Sequence, residues 1–200
     1  MSNEKMIWGA NVLDKIVKIA GGFACAMIWV FAIFAVLVIV VGEGMYMPDG
    51  VFLDFEFIRL HLAQEYQTIT PMFRVYTAAI LAMGAVYAAA LMILSRMIRA
   101  ILAPMKEGRP FESSVCASLK KIAYWVFAVG GISQVMQMIS SALMMRAYPI
   151  DAVFSSSAVT QIEYSFSIDL SFLLAGFVVL FLSWVFAYGQ TLQQEADETL

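Results

Sequence analysis

Side chains that could do chemistry are few in this sequence, and they lie far apart. His61 is the only histidine, so one chain cannot supply the paired histidines of a zinc or haem site. Cys25 and Cys116 fall in different predicted elements, which argues against a structural disulfide. The sequence also lacks a phosphate-binding glycine loop and the glycine-flanked serine of hydrolases. We therefore predict no enzyme, no catalytic residue, no cofactor and no metal site.

The most concentrated polar side chains occur inside a long apolar run: Ser133, Gln134, Gln137, Ser140 and Ser141. Most of them recur at three- or four-residue spacing, which places them on one face of a helix. Such a face could line a small polar cavity. It could also serve hydrogen bonding between helices, which contributes roughly 0.6 kcal/mol per bond in a membrane. We favour the second interpretation.

The composition explains why candidate chemistry is so sparse. Of 200 residues, 62% are hydrophobic and only 14% are charged, and the mean hydropathy is +0.83. Soluble domains are about half apolar and about a quarter charged. The composition therefore excludes a soluble enzyme and indicates a protein of the lipid bilayer. A net charge of −3 leaves no broad basic surface, so direct nucleic-acid binding is not expected.

Four uncharged stretches predict the architecture. They contain 24 residues after Lys18, 21 after Arg74, 24 after Lys121 and 25 after Asp169. A bilayer core about 30 Å thick needs about 20 apolar residues in a helix, and single strands would leave their backbone groups unpaired in lipid. We therefore predict an α-helical membrane fold in a single domain, residues 1–200. Its four spans are placed at about 19–42, 75–95, 122–145 and 170–188.

The basic residues predict the orientation. Nine of the 12 lysines and arginines fall in the N-terminal segment or in the loop 96–121, and the other three fall in the loops 43–74 and 146–169. Because positive residues accumulate on the cytoplasmic side, both termini and the loop 96–121 are predicted to be cytoplasmic. Before the first span, an amphipathic stretch from Trp8 to Ile19 is predicted to lie in the membrane interface, after which the chain turns inward.

Both outer loops show an alternation of apolar and polar residues. Leu53, Phe55 and Phe57 alternate with acidic residues, and residues 162–169 follow the same period. A two-residue period is typical of a strand with one apolar face. We predict that the two segments pair into a small extracytoplasmic β-cap. Interfacial helices or irregular loops are the alternative.

Two cytoplasmic segments are the most specific parts of the sequence: KEGRPF at 106–111 and YGQTLQQEADETL at 188–200. Both resemble the bacterial domain of unknown function 2975 family, and the layout of nearly the whole chain is similar to that family. The resemblance implies a multi-pass protein of the bacterial inner membrane. It also implies a cytoplasmic partner, because members are often encoded beside a small helix-turn-helix regulator. No activity is implied.

Two functions from different classes fit these features. The first is a non-enzymatic signalling or scaffold protein that binds a cytoplasmic partner, such as a helix-turn-helix regulator, through the loop and the tail. The candidate binding side chains are Lys106, Arg109, Phe111, Lys120, Lys121, Glu195, Asp197 and Glu198. The alternative is a small transporter or permeability protein, assembled as a homodimer, that uses the polar face of span three. The first is favoured because the specific motifs are cytoplasmic and the spans carry no charge.

Overall fold

The computed structural model describes residues 3–41, 52–55, 58–61, 71–147 and 168–198. These residues include four long helices: α1 (Asn3–Val41), α2 (Pro71–Lys106), α3 (Ser113–Ala147) and α4 (Ser171–Glu198). Each helix is long and apolar enough to cross a membrane. In lipid a helix satisfies its backbone hydrogen bonds internally, so the uncharged runs fold in this way. The predicted α-helical membrane fold with four spans is confirmed.

The helices are longer than a bilayer requires. With 39 residues, α1 measures about 58 Å, against a hydrocarbon core of about 30 Å. No proline interrupts its sequence, and the stretch from Trp8 to Ile19 belongs to the same continuous helix as the span. The predicted turn between an interfacial segment and the first span is therefore wrong.

A short hairpin forms in the connection between α1 and α2. Strand β1 (Phe52–Phe55) pairs antiparallel with β2 (Ile58–His61), in a register that sets Phe52 opposite His61 and Phe55 opposite Ile58. The partner of β1 is thus the next strand in the sequence and not the segment between α3 and α4. Of the second predicted segment, residues 162–167 lie outside the described residues, and residues 168–170 form no strand. A β-cap built from both loops is not supported.

The chain groups into two compact units. The first takes the ranges Met1–Ile28, Val86–Val135 and Ile168–Leu200, and the second takes Trp29–Ala85 and Met136–Ser167. In the second unit α2 approaches α1 closely at Gly84, where a Cβ would lie 3.2 Å from the ring of Phe31. Every contact discussed below lies within the first unit.

A buried hydrophobic cluster forms the centre of the first unit. Ile101, Val115 and Ile122 are its buried members. Partly buried side chains of α2, α3 and α4 pack around them: Leu94, Met97, Ile98, Met105, Leu119, Val126, Val179 and Phe186. The cluster continues past Arg96 and Lys121, where the uncharged stretches end. Apolar burial stabilises a protein only where water is the alternative, so the hydrophobic effect can act on the part of the cluster that lies outside the uncharged stretches.

Helices α3 and α4 pack differently, through reciprocal pairs of glycine and phenylalanine. The Phe172 ring of α4 occupies the space beside Gly130, and the Phe127 ring of α3 occupies the space beside Gly176. Phe127 also meets Phe177 edge to face, with ring centroids 5.2 Å apart. Between lipid-embedded helices attraction comes from close van der Waals contact, which small residues permit. These four positions therefore determine how closely α3 and α4 approach.

Candidate functional site

The loop motif 106–111 forms a tight helix end. Gly108 has a left-handed φ of 76°, and its N–H donates to the Met105 carbonyl oxygen over 3.2 Å. The Arg109 N–H donates to the Pro104 carbonyl oxygen over 3.0 Å. This pair of bonds is the Schellman arrangement, which satisfies the last carbonyls of a helix and requires a residue that tolerates positive φ. The motif thus ends α2 and turns the chain towards α3.

Arg109 is held by acidic neighbours within the same turn. Its guanidinium hydrogen-bonds to Glu107 and pairs with Glu112 Oε2, which lies 3.2 Å from Nη1. The hydrogen bond to Glu107, followed by the attraction of Glu112, raises the pKa of Arg109 above its usual value. The Glu112 Oε2 atom is buried, and this ion pair compensates its charge. Arg109 therefore adds little net charge to its surroundings.

Phe111 joins the loop motif to the tail motif. Its ring lies 5.7 Å, centroid to centroid, from the ring of Phe186 on α4. At Gly189 a Cβ would lie only 2.7 Å from Phe111 Cε1, so the ring occupies space that any larger residue would fill. The two segments that carry the family resemblance are thus in direct contact, although about 80 residues separate them along the chain.

A polar groove of about 280 Å³ lies beside this contact. The loop supplies one wall through Arg109, Phe111, Glu112 and Ser113, and α4 supplies the other through Gln190, Gln193 and Gln194. The glutamines are three and four residues apart, so a single helix face presents all three amides. Amides and a hydroxyl both donate and accept hydrogen bonds, which suits a peptide backbone or polar side chains as ligand. We call this the loop–tail groove.

Lys106, predicted as a binding residue, instead pairs within the protein. Its ammonium group and the guanidinium of Arg99 both contact the carboxylate of Asp14 on α1, with 2.9 Å between Arg99 Nε and Asp14 Oδ1. Asp14 precedes Lys18 and the uncharged span. The hydrogen bond from Lys106, then that from Arg99, lowers the pKa of Asp14 below its ordinary value. These three residues attach the N-terminal part of α1 to the end of α2.

The remaining predicted binding residues lie elsewhere on the surface. Lys120 and Lys121 are exposed on α3, and Glu195 and Glu198 are exposed on α4. Asp197 belongs to α4, but its side chain lies outside the described part of the structure. Of the eight candidates, the loop–tail groove therefore takes Arg109 and Phe111.

The polar residues of span three differ in their hydrogen bonds and in their exposure. Ser133 donates its hydroxyl to the Val129 carbonyl of its own helix over 2.9 Å. Gln134 Oε1 accepts the backbone N–H of Asp169, just before α4. Gln137 is exposed, and Ser140 and Ser141 are partly buried. The Ser133 bond therefore lies within α3, and only the Gln134 bond joins α3 to another segment.

Asp169 lies two residues before α4, at the end of that helix opposite the groove. Its Oδ1 accepts the Ser171 N–H over 2.8 Å, which is a helix-capping bond. This bond to the Ser171 backbone, with a further one to the Ser171 side chain, lowers the pKa of Asp169. Gln134 therefore supports a capped helix end.

A second cavity, of about 500 Å³, lies within the spans. Its wall is apolar apart from a few hydroxyl and indole groups, and it includes Leu91, Trp125, Val129, Ser133 and Phe172. The Trp125 indole donates to the Ala90 carbonyl oxygen over 3.3 Å, so its polar atom is already used. The described residues contain no cluster of three or more metal-ligating side chains. This cavity presents no set of reactive groups.

Sequence reasoning missed several residues of the site. Gln190, Gln193 and Gln194 have a detectable signal, the three- and four-residue spacing inside the tail motif. Asp14 also has one, because it is the only acidic residue between positions 5 and 42. Glu112 has none, since its role depends on the turn that brings Arg109 back to it.

Four apolar helices with short polar ends define a multi-pass integral membrane protein. The family described as Protein of unknown function (DUF2975) matches residues 60–200, and the chain belongs to this family. The resemblance to this family, drawn from the segments 106–111 and 188–200, is thereby confirmed. No curated protein and no solved structure matches the sequence.

Proposed function

We propose that this protein is a non-enzymatic membrane scaffold or signalling protein that binds a soluble protein through the loop–tail groove. Both termini and the groove lie in the cytoplasm of a bacterial cell, and the hairpin of β1 and β2 faces the outside, where it senses a ligand or the state of the envelope. The partner is a small helix-turn-helix regulator encoded beside the gene. No nucleic acid is bound directly.

The observation that carries the proposal is the direct contact between the loop motif and the tail motif around the groove. Phe111 packs against Gly189 and Phe186, and the glutamines of α4 complete the opposite wall. The groove holds one cation and one anion, Arg109 and Glu112, which pair with each other. Its recognition chemistry therefore comes from amides, a hydroxyl and one aromatic edge, which suits a peptide segment of a protein.

The charge of the tail supports a basic partner. The tail carries three acidic residues, Glu195, Asp197 and Glu198. The sequence has no basic residue after Arg146. A regulator that binds DNA carries a basic surface, and complementary charge steers such a partner to the tail. The acidic tail would raise the association rate, and the groove would provide the specific contacts.

The test is co-purification of the full-length protein with the neighbouring regulator from co-expressing cells in mild detergent. The double variant Gln190→Ala with Gln194→Ala removes two groove amides and should reduce recovery of the regulator by about tenfold, equivalent to about 1.4 kcal/mol.

Thr191→Ala is the matched control, because Thr191 is exposed on the same helix and does not line the groove. It should leave recovery unchanged. Equal recovery of the regulator with all variants, or no recovery with the unaltered protein, would reject the proposal. The transporter alternative has weaker support, because Ser133 and Gln134 already hydrogen-bond within the protein.

A further inference from the structure

The outward side of the N-terminal part of α1 carries apolar and basic side chains together. Trp8, Ile16 and Ile19 are 71%, 57% and 74% exposed, and Val12 is also exposed. Steps of four and seven residues separate Trp8, Val12 and Ile19, which places them on one side of the helix. These four residues, together with Lys5, Lys15 and Lys18, are called the basic face of α1.

The lysines are interspersed with the apolar residues and not set apart from them. Lys15 follows Trp8 by seven residues and precedes Ile19 by four, so it stands on the same side of the helix. Lys5, Lys15 and Lys18 are all exposed. Long lysine side chains can lie along an apolar surface while their ammonium groups reach a polar layer.

The acidic residue of this segment is turned away from the basic face. Asp14, the only acidic residue between positions 5 and 42, has a side chain only 15% exposed and contacts Arg99 and Lys106 of α2. Its charge is therefore compensated by α2 and does not neutralise the three lysines. The exposed Glu4 lies beside Lys5 at the outer end of the face, so Lys15 and Lys18 are its cations with no acidic neighbour on the same side.

The face lies where a membrane presents its polar surface. Ile19 is the first residue of the uncharged stretch, and Lys18 directly precedes it. Residues 12–19 extend over about 10 Å of helix, which is of the order of one headgroup layer. Apolar side chains and lysines at this level suit the boundary between acyl chains and headgroups. The two cations Lys15 and Lys18 favour negatively charged headgroups.

We propose that the basic face of α1 binds anionic phospholipid headgroups of the membrane that the protein spans. The phosphates pair with Lys15 and Lys18, and Val12, Ile16 and Ile19 contact the upper acyl chains. Lys5 and Trp8 form the outer edge of the site. This inference does not depend on the partner of the loop–tail groove.

The experiment places a reporter on the face and asks which lipid is next to it. The Ile16→Trp variant and the unaltered protein are reconstituted in vesicles of phosphatidylcholine with a minor fraction of phosphatidylglycerol. Bromine, which quenches tryptophan at short range, is carried by phosphatidylglycerol in one preparation and by an equal amount of phosphatidylcholine in the other. Both leaflets have the same composition, so the orientation of the protein does not affect the result.

The fluorescence that Ile16→Trp adds to the wild-type signal should be quenched about twofold more by brominated phosphatidylglycerol. The excess should disappear at high salt, which screens charge, and in the added background of Lys15→Gln with Lys18→Gln. The control background Lys120→Gln with Lys121→Gln removes the same charge from α3 and should keep the excess.

Three results would overturn the proposal. Equal quenching by the two brominated lipids would show that the face does not select anionic lipid. Little quenching by either would show that protein covers the face, for example a second copy of the chain. Loss of the excess in the α3 control would show that overall surface charge, and not this face, attracts the lipid.

Discussion

Gly130 and Gly131 are adjacent in α3 but differ in their surroundings. A Cβ at Gly130 would overlap the ring of Phe172, whereas a Cβ at Gly131 would meet open space. The sequence shows two consecutive glycines and does not distinguish them. Only the packing of α4 shows that one glycine is required for close approach and the other is not.

We expect Gly130→Ala to destabilise the protein by about 1–3 kcal/mol, because the extra methyl group forces Phe172 from its place. Gly131→Ala should be neutral or should stabilise by up to about 1 kcal/mol, because alanine is the better helix former and nothing obstructs it. Thermal unfolding of the two purified variants in one detergent measures the difference. Equal midpoints would contradict the packing described here.

Gln134 and Gln137 are one helical turn apart, and only Gln134 has a described bond to another segment. We expect Gln134→Leu to destabilise the start of α4 by about 1 kcal/mol, because the Asp169 N–H loses its acceptor. Gln137→Leu places an apolar side chain at an exposed position within a span and should not destabilise. Chemical unfolding in detergent measures both variants, and a loss of stability at Gln137 alone would contradict this assignment.

At the scale of elements, the N-terminal part of α1 depends on a single carboxylate for its charged contact with α2. Asp14 pairs with Arg99 and with Lys106. Within the part of the chain that the structure describes, it is the acidic partner of both side chains. The contact joins residues 85 and 92 positions apart, which no pattern in the sequence indicates. It holds the N-terminal part of α1 beside the end of α2.

We expect Asp14→Asn to loosen residues 3–18 from α2, and hydrogen exchange in detergent should show faster exchange in that segment. Glu4→Gln removes an equal charge from an exposed residue of the same helix and should leave exchange unchanged. Because the folded protein lowers the pKa of Asp14, the contact is complete at neutral pH. Acid should weaken it only as the pH falls through the lowered pKa, below the ordinary value of 3.8. Unaltered protection in Asp14→Asn would show that apolar contacts alone hold α1.

At the scale of the whole molecule, the helices pack in two ways, one suited to lipid and the other suited to water. Close glycine–phenylalanine contacts join α3 and α4 along the uncharged stretches, where lipid offers no hydrophobic driving force. The buried cluster around Ile101 and Val115 continues beyond Arg96 and Lys121, where water can be displaced. The groove forms at the same end of the first unit, next to this rigid cluster.

The proposed orientation can be tested by labelling cysteines with a membrane-impermeant maleimide. In a chain with Cys25→Ala and Cys116→Ala, Arg146→Cys should be labelled in intact spheroplasts. Glu198→Cys should be labelled only after the membrane is broken, because the distribution of basic residues predicts that both termini are cytoplasmic. The two positions serve as controls for each other, and the reverse pattern would contradict the orientation.

The sequence by itself determined the class of protein, the four helices and the family. These follow from properties that run along the chain, namely the length of uncharged stretches and two short motifs. The sequence also singled out the loop and the tail, and the fold brings these two segments into contact at Phe111 and Gly189. It predicted a strand near residues 53–57 but not the strand that pairs with it.

The tertiary structure alone decided which side chains meet. Lys106 contacts Asp14 and not the groove, Phe111 fills the space beside Gly189, and Gln134 supports the start of α4. Each of these contacts joins different elements, and its geometry depends on how the helices are rotated and spaced against one another. Hydropathy determines that a stretch becomes a helix in lipid, but close packing determines which of its faces meets a neighbour.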